Sequence, residues 1–423
     1  MLLFIPNDIK EACAMRIDPR KFGVRYILIA LFIAIVYSFR SAYWTTGIYG
    51  AVYKRANTSS SVYLFLVYSA LIMTVLLGIK HISRSKDTGL YALSLSGIVG
   101  VYFLKTIVDD GVYAALTNPT TPLVFLLVLA IYIGMQDELW MLVEKMLPIF
   151  IVCFLGLLAY EYIMLFNQHG VTIIGNSSVI YYYVDLFWCV TVYLTCRILR
   201  GRELKWYHLF LLVVLIVVAT VINSRSWIIQ ACIVTVGLYL FAPSRLEASD
   251  KIKRILAISV ISLIAWRILN TYFSGYLSNL FDKIGNDSRS HQYGDIFGAS
   301  SPIGWLFGNG ALATYADSRH GGETASIDNQ YLFVAFHYGA IVLTMWLIPQ
   351  VKICLSTLKK LPLIAILPVL CWFMALGGLS VFNAIYCDLK QVVVMLYIGH
   401  VLSLCESGKL EYSGRPSGFH LMR

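Results

Sequence analysis

The chain alternates long uncharged apolar runs with short polar segments, and inside the runs neither a helical stripe nor a strand alternation separates a wet face from a dry one. The stretch L-F-L-L-V-V-L-I-V-V-A-T-V-I, Leu209–Ile222, is apolar on every side. A helix of that kind belongs in lipid or deep in a core, because a surface helix keeps one polar face. A membrane span takes about 20 predominantly apolar residues. Runs that approach this length fall near 24–39, 61–79, 90–104, 122–135, 146–166, 178–196, 208–222, 226–242, 255–272, 329–350, 362–380 and 391–405. The expected fold is therefore an all-α polytopic integral membrane protein, a single transmembrane domain over 1–423 with about twelve transmembrane helices.

Composition agrees with that pattern: 59% of residues are hydrophobic and 13% charged, with a mean hydropathy of +0.73. Soluble domains carry about 25% charged residues, so that class is excluded. The opening residues M-L-L-F-I-P-N-D-I-K hold too short an apolar run, and no small-residue cleavage site, for a removable signal peptide. The first span is expected to be the insertion signal itself. Nine cysteines show no C-x-x-C or Cys/His spacing, so neither a disulfide framework nor a metal site is indicated, and no cofactor is implied.

The net charge of +10 changes the picture by fixing a direction. Lys and Arg gather on the cytoplasmic side of membrane proteins. With the N-terminus inside, about 23 of the 33 basic residues fall in cytoplasmic segments, Arg197, Arg200, Arg202 and Lys205 among them. Both termini are then cytoplasmic. The basic residues are scattered over separate short loops, a distribution that does not make a nucleic-acid surface.

One loop stands apart. Residues 273–327 are long, polar and, by this topology, external, and their mix of aromatics, glycines and balanced charge predicts one or two short helices. Several ionisable residues lie toward the same side. Arg225, in N-S-R-S-W-I-I-Q, sits at the outer end of a hairpin between two spans, where Asn223 or Ser224 can cap the second helix. A cation in a first helical turn is electrostatically disfavoured unless an anion joins it, and a helix N-terminus with an arginine fork binds phosphate oxygens. The other reading is an interfacial arginine that snorkels to lipid headgroups. Glu161, Asp185 and Arg267 lie in the outer parts of their spans and line either a polar cavity or structural ion pairs, Asp185 with Arg267 for instance.

The long loop carries D-S-R-S-H-Q-Y and S-P-I-G-W-L-F-G-N-G, then runs through S-I-D-N-Q-Y-L into the next span. With Ser224-Arg225-Ser226, Arg289 with Tyr293, Leu306 to Gly310, and Asp328-Asn329-Gln330-Tyr331-Leu332 leading to Gly339, the chain resembles the superfamily of O-antigen polymerases (Wzy) and O-antigen ligases. The resemblance covers about residues 220–345. It implies a metal-independent, inverting, GT-C-like glycosyltransferase of the bacterial inner membrane with its active site facing the periplasm. The donor would be an undecaprenyl-pyrophosphate-linked oligosaccharide, and a polysaccharide chain-length regulator would be a partner.

On that reading Arg225 and Arg289, with Arg267 as a third, neutralise the leaving pyrophosphate. Asp328 is the leading general base, ahead of Glu161, Glu323 and His337. Tyr293, Trp305, Tyr315 and Tyr331 are candidate sugar-stacking rings, although rings at a membrane interface more often belong to an aromatic belt. Ligases of the superfamily usually carry histidine ahead of N-x-Y-L, and Asp328 stands there in this chain, which points to polymerase over ligase. A flippase or other transporter of lipid-linked sugars is the competing class. It calls for charges serving both faces, and many transporters have repeated halves, neither of which this chain displays. A metal-dependent transferase needs acids in its first outer loop, and that loop has none; the pair Asp109-Asp110 reads as a solvated loop end.

Overall fold

The computed structural model describes residues 133–169, 179–241, 289–375 and 389–407, apart from 223–224, 311–312, 319–320, 325–326, 328 and 360, with scattered helical positions between 100 and 131 and at 256 and 267. The described chain is mostly helical. Its helices are α1 (Asp137–His169), α2 (Val179–Leu199), α3 (Trp206–Val221), α4 (Arg225–Phe241), α5 (Arg289–Gly298), α6 (Pro302–Phe307), α7 (Gln330–Lys359), α8 (Leu367–Met374) and α9 (Leu389–Ser407). A 3₁₀ turn, Leu363–Ile366, leads into α8. Seven of the apolar runs, from 146–166 through 226–242 and from 329–350 to 391–405, fall on these elements. The runs at 24–39 and 61–79 lie outside the described residues, and 90–104, 122–135, 255–272 and the end of 362–380 are described only in part.

Among the described residues, three stretches are long and apolar enough to cross a membrane: Leu139–Tyr160, Tyr182–Leu199 and Gln330–Lys352. Trp206–Thr220, Ser226–Leu240, Leu363–Met374 and Val392–Cys405 are apolar but shorter. Burial separates the first two sharply. The window in α2 is 94% buried, whereas that in α1 is 33% buried, with Met141, Val152, Tyr160 and Ile163 exposed. α2 is thus the axis of the bundle, touched by α1, α3, α4, α8 and α9. One of its buried hydroxyls is served from within: Thr191 Oγ1 donates to the Phe187 carbonyl one turn back at 2.7 Å.

Glycines set the closest approaches. A Cβ at Gly134 would lie 2.8 Å from the Leu396 carbonyl carbon and closer still to its oxygen, and one at Gly399 would meet Ile131 in the same way. Small residues let helix backbones touch, which is how helices pack tightly where lipid offers no hydrophobic drive. Trp140 stacks flat on His400 beside this crossing, centroids 4.4 Å apart. Close by, just past the C-terminal end of α2, Arg200 pairs with Glu144 of α1. There the chain turns into α3 with the Lys205 N–H donating to His208 Nδ1 at 2.9 Å.

Candidate functional site

Two short helices form in the long loop, as its composition predicts, and they are followed by a two-stranded hairpin that its sequence does not announce. Strand β1 (Tyr315–Asp317) pairs antiparallel with β2 (Gly322–Thr324), Ala316 opposite Glu323. α6 starts cleanly because Ser301 Oγ accepts from the Gly304 N–H at 3.1 Å and Pro302 occupies the first turn. It ends at Gly308, whose φ of +86° a side chain would strain.

That ending is a docking device. α7 is broken at Gly339, where φ is +88°. In an unbroken helix the Phe336 and His337 carbonyls would bond residues 340 and 341; here the loop serves them. Asn309 N–H reaches the Phe336 carbonyl at 2.9 Å, Asn309 Nδ2 reaches the same oxygen at 2.9 Å, and Gly310 N–H reaches the His337 carbonyl at 3.1 Å. The two glycines allow the contact: a Cβ at Gly339 would lie 2.6 Å from the Phe307 carbonyl carbon, and one at Gly308 would lie 2.7 Å from that of Tyr338. The L-F-G-N-G turn and the helical glycine after N-Q-Y-L, separate features of the sequence, are the two halves of one joint.

His337 belongs to this joint. It is fully buried, its ring lies against Phe333 at 4.1 Å, and its Nδ1 is 3.0 Å from the Gly310 carbonyl. A carbonyl only accepts, so Nδ1 carries the proton. In this arrangement the imidazole fastens the loop and is not presented as a base. Tyr315 is also drawn inward, 2% exposed, with its hydroxyl accepting from Gln292 Nε2 at 2.7 Å and its ring edge-on to Phe336. Trp305 is half-buried between Phe297 and Phe336, and Tyr331 is half-buried with its hydroxyl donating to the Phe373 carbonyl at 3.0 Å. Of the four candidate stacking rings, Tyr293 in α5 is half-buried and has no hydrogen bond or ring contact described here.

The hairpin is tied to α5 by Asp295, whose Oδ2 accepts from Ser318 Oγ at 2.7 Å and from the Ser318 N–H at 2.9 Å. These two bonds favour the charged form and hold the carboxyl below its ordinary value. Glu323 is exposed on β2 and accepts from Thr314 Oγ1 at 2.7 Å. A bond with a neighbouring threonine gives it a local structural task.

Arg225 and Arg289 are each the first residue of a helix, α4 and α5, and their side chains lie outside what is described. Asp328 and the capping residues Asn223 and Ser224 lie outside the described residues as well. What is described is how their neighbours are held. Trp227, two residues after Arg225, is fully buried, with ring centroids 5.8 Å from Tyr183, 5.1 Å from Phe187 and 6.5 Å from Trp188. It nails the first turn of α4 to α2. Directly after Asp328, Asn329 Oδ1 accepts from the Tyr331 and Leu332 N–H groups at 3.0 and 3.2 Å and so caps α7.

Asp185 is fully buried in α2, Arg267 is helical and exposed, and Glu161 lies within α1, its side chain outside what is described. The sequence reading missed Trp227, Asn309 and Gln292. Only Asn309 left a trace, as the residue between two glycines. Among the described residues, no group of three or more His, Cys, Asp or Glu is arranged to hold a metal ion. Comparison with protein-family models, with curated proteins and with solved structures finds no match for this chain.

Proposed function

We propose that the chain polymerises lipid-linked surface-polysaccharide repeat units at the outer face of the bacterial inner membrane. In this reading the chain has about twelve spans, cytoplasmic termini and an external 273–327 loop. The growing glycan is transferred from undecaprenyl pyrophosphate to the acceptor unit in one displacement. The acceptor hydroxyl forms the new C–O bond at the anomeric carbon as the bond to pyrophosphate breaks, and the configuration inverts. Asp328 takes the hydroxyl proton, and Arg225 and Arg289 take up the charge that appears on the leaving group.

The observation that supports this most is the joint at Gly339. It draws the loop that carries Arg289 onto the first turns of α7, the helix that follows Asp328. An acid and a cation distant in sequence can serve one reaction only if something fixes the segments that carry them, since misplacement by about 1 Å can cost 10²-fold in rate. Asp328, in the position where ligases of the resembled superfamily carry histidine, favours polymerase over ligase.

Purified protein in detergent, given a lipid-linked repeat unit and no partner, should yield longer lipid-linked glycans, with or without chelator. Arg225→Lys keeps the charge and loses the planar fork, so extension should fall about 10²–10³-fold in variants that fold normally. Near wild-type extension by Arg225→Lys would leave the arginine as a membrane anchor. Movement of the lipid-linked sugar across vesicles without any extension would replace the enzyme with a transporter.

A further inference from the structure

α6 has two faces. Gly304 and Gly308 are buried against Asn309 and the α7 backbone, and Trp305 turns toward Phe336. Ile303, Leu306 and Phe307 point away, and Ile303 is 73% exposed. Phe297, at the end of α5, stacks beside Trp305 at 5.2 Å and extends this face, being 57% exposed itself. Four large apolar side chains gathered on so small a unit are unusual for a surface that meets water. The exposed positions of the hairpin have the opposite character: Thr314, Ala316, Ser318 and Glu323.

α7 gives the level at which the apolar face stands. From Phe333 to Gly339 its residues are buried or half-buried, wrapped by the loop. From Ala340 onward it opens outward, exposing Ile341, Ile348 and Val351 within or next to the stretch long enough to cross a membrane. The joint at Gly339 therefore marks where α7 leaves the loop, and α6 is fixed there through the backbone contacts of Leu306 and Phe307. α6 thus lies beside the point from which α7 begins to expose apolar side chains.

We infer that α6 and Phe297 form an interfacial foot, which rests Ile303, Leu306 and Phe307 in the boundary between headgroups and acyl chains of the outer leaflet. Its occupant is lipid. Helices of this character bury their apolar side about 5–10 Å into that boundary. The foot would hold the loop at one height over the bilayer, with the polar hairpin turned to water. It rests on α7 crossing the membrane and not on the chemistry proposed above.

The test uses the full chain reconstituted in phosphatidylcholine vesicles, with an environment-sensitive dansyl side chain placed at position 303, 307 or 316. Brominated phosphatidylcholine should quench positions 303 and 307 severalfold more than 316, and aqueous iodide should quench them severalfold less. Equal response of all three positions to both quenchers would overturn the foot. Shielding of 303 and 307 from both quenchers would also overturn it, because the face would then be covered by protein, such as a second copy of the chain. Ile303→Ser with Phe307→Ser supplies a second reading: the loop should become more accessible to added protease in vesicles, while the same double variant in detergent should keep the wild-type unfolding temperature. An unchanged protease pattern in vesicles would count against lipid contact.

Discussion

The bundle around α2 and the loop unit from Arg289 to Gly339 are held together in different ways. In the bundle, large rings fill space: Trp227 sits among Tyr183, Phe187 and Trp188, and Trp188 meets Trp372 edge-on at 5.4 Å. In the loop unit the decisive contact has almost no side chain in it, since Gly308 and Gly339 bring two backbones together and Asn309 bridges them. Around Trp227 the structure is built to fail when atoms are removed; the Gly308–Gly339 joint, like the Gly134–Gly399 crossing inside the bundle, fails when atoms are added. A protein can thus carry its scaffold and its loop under different mutational rules within one chain.

The largest effect expected from breaking this contrast is Trp227→Ala, which should cost about 3–5 kcal/mol through the cavity it leaves. Thermal unfolding of the whole chain in detergent would register it as a global shift. Gly339→Ala should come next. Positive φ costs a non-glycine residue about 1–2 kcal/mol, and forcing a methyl against the Leu306 and Phe307 backbone adds about 1–3 kcal/mol. Limited proteolysis should show the 289–327 loop released while the bundle melts nearly as before. Gly237→Ala is the control inside the bundle, because its Cβ would meet only the end of the Leu367 side chain at 3.0 Å, which can move. A Gly237→Ala loss as large as that of Gly339→Ala would erase the distinction between the regions.

Asn309→Ala removes an atom from the unit that should fear addition, and sharpens the rule by its exception. It takes away a side-chain bond to the Phe336 carbonyl and one to Ser300 Oγ, both 2.9 Å. The Asn309 N–H bond to the same carbonyl survives, so the loss should be about 1–2 kcal/mol, read again as loop proteolysis.

The smallest effect concerns the tie between Asp295 and Ser318. The folded-state carboxyl is held below its ordinary value, so the unfolded chain takes up a proton first as pH falls. The tie's contribution is complete above the ordinary aspartate value of about 3.9 and is lost as pH drops through the depressed folded value. Exchange of the Ser318 amide should be pH-protected accordingly, and Asp295→Asn should flatten the profile. A profile that loosens toward alkaline pH would contradict the assignment.

Much of the bundle is legible in the sequence because length and apolarity locate a helix even where no periodicity exists. The run at 226–242 and helix α4 at Arg225–Phe241 nearly coincide. α1 is harder: it starts at Asp137, and Asp137, Glu138 and Glu144 disguise its first turns as a polar loop, so the run at 146–166 marks only part of it. The hairpin escapes notice because Tyr315–Asp317 and Gly322–Thr324 are three residues each, too short for alternation to register. Of the site, the helix start at Arg225 is readable from a capping pattern, which is local chemistry. The roles of Trp227, Asn309 and His337 are not, because each is defined by a partner elsewhere in the chain: Tyr183, Phe336 and Gly310.

The bonds from Asn309 and Gly310 to Phe336 and His337 have one more consequence. They fasten the two ends of residues 310–336 side by side, and so turn that stretch into a closed circuit clipped at its base. A change of length between Ser318 and Gly321 is then held between that clip and the tie of Ser318 to Asp295, and is not passed to the lower half of α7. Insertions there should be the best tolerated in the loop, with the helices on either side left as they are.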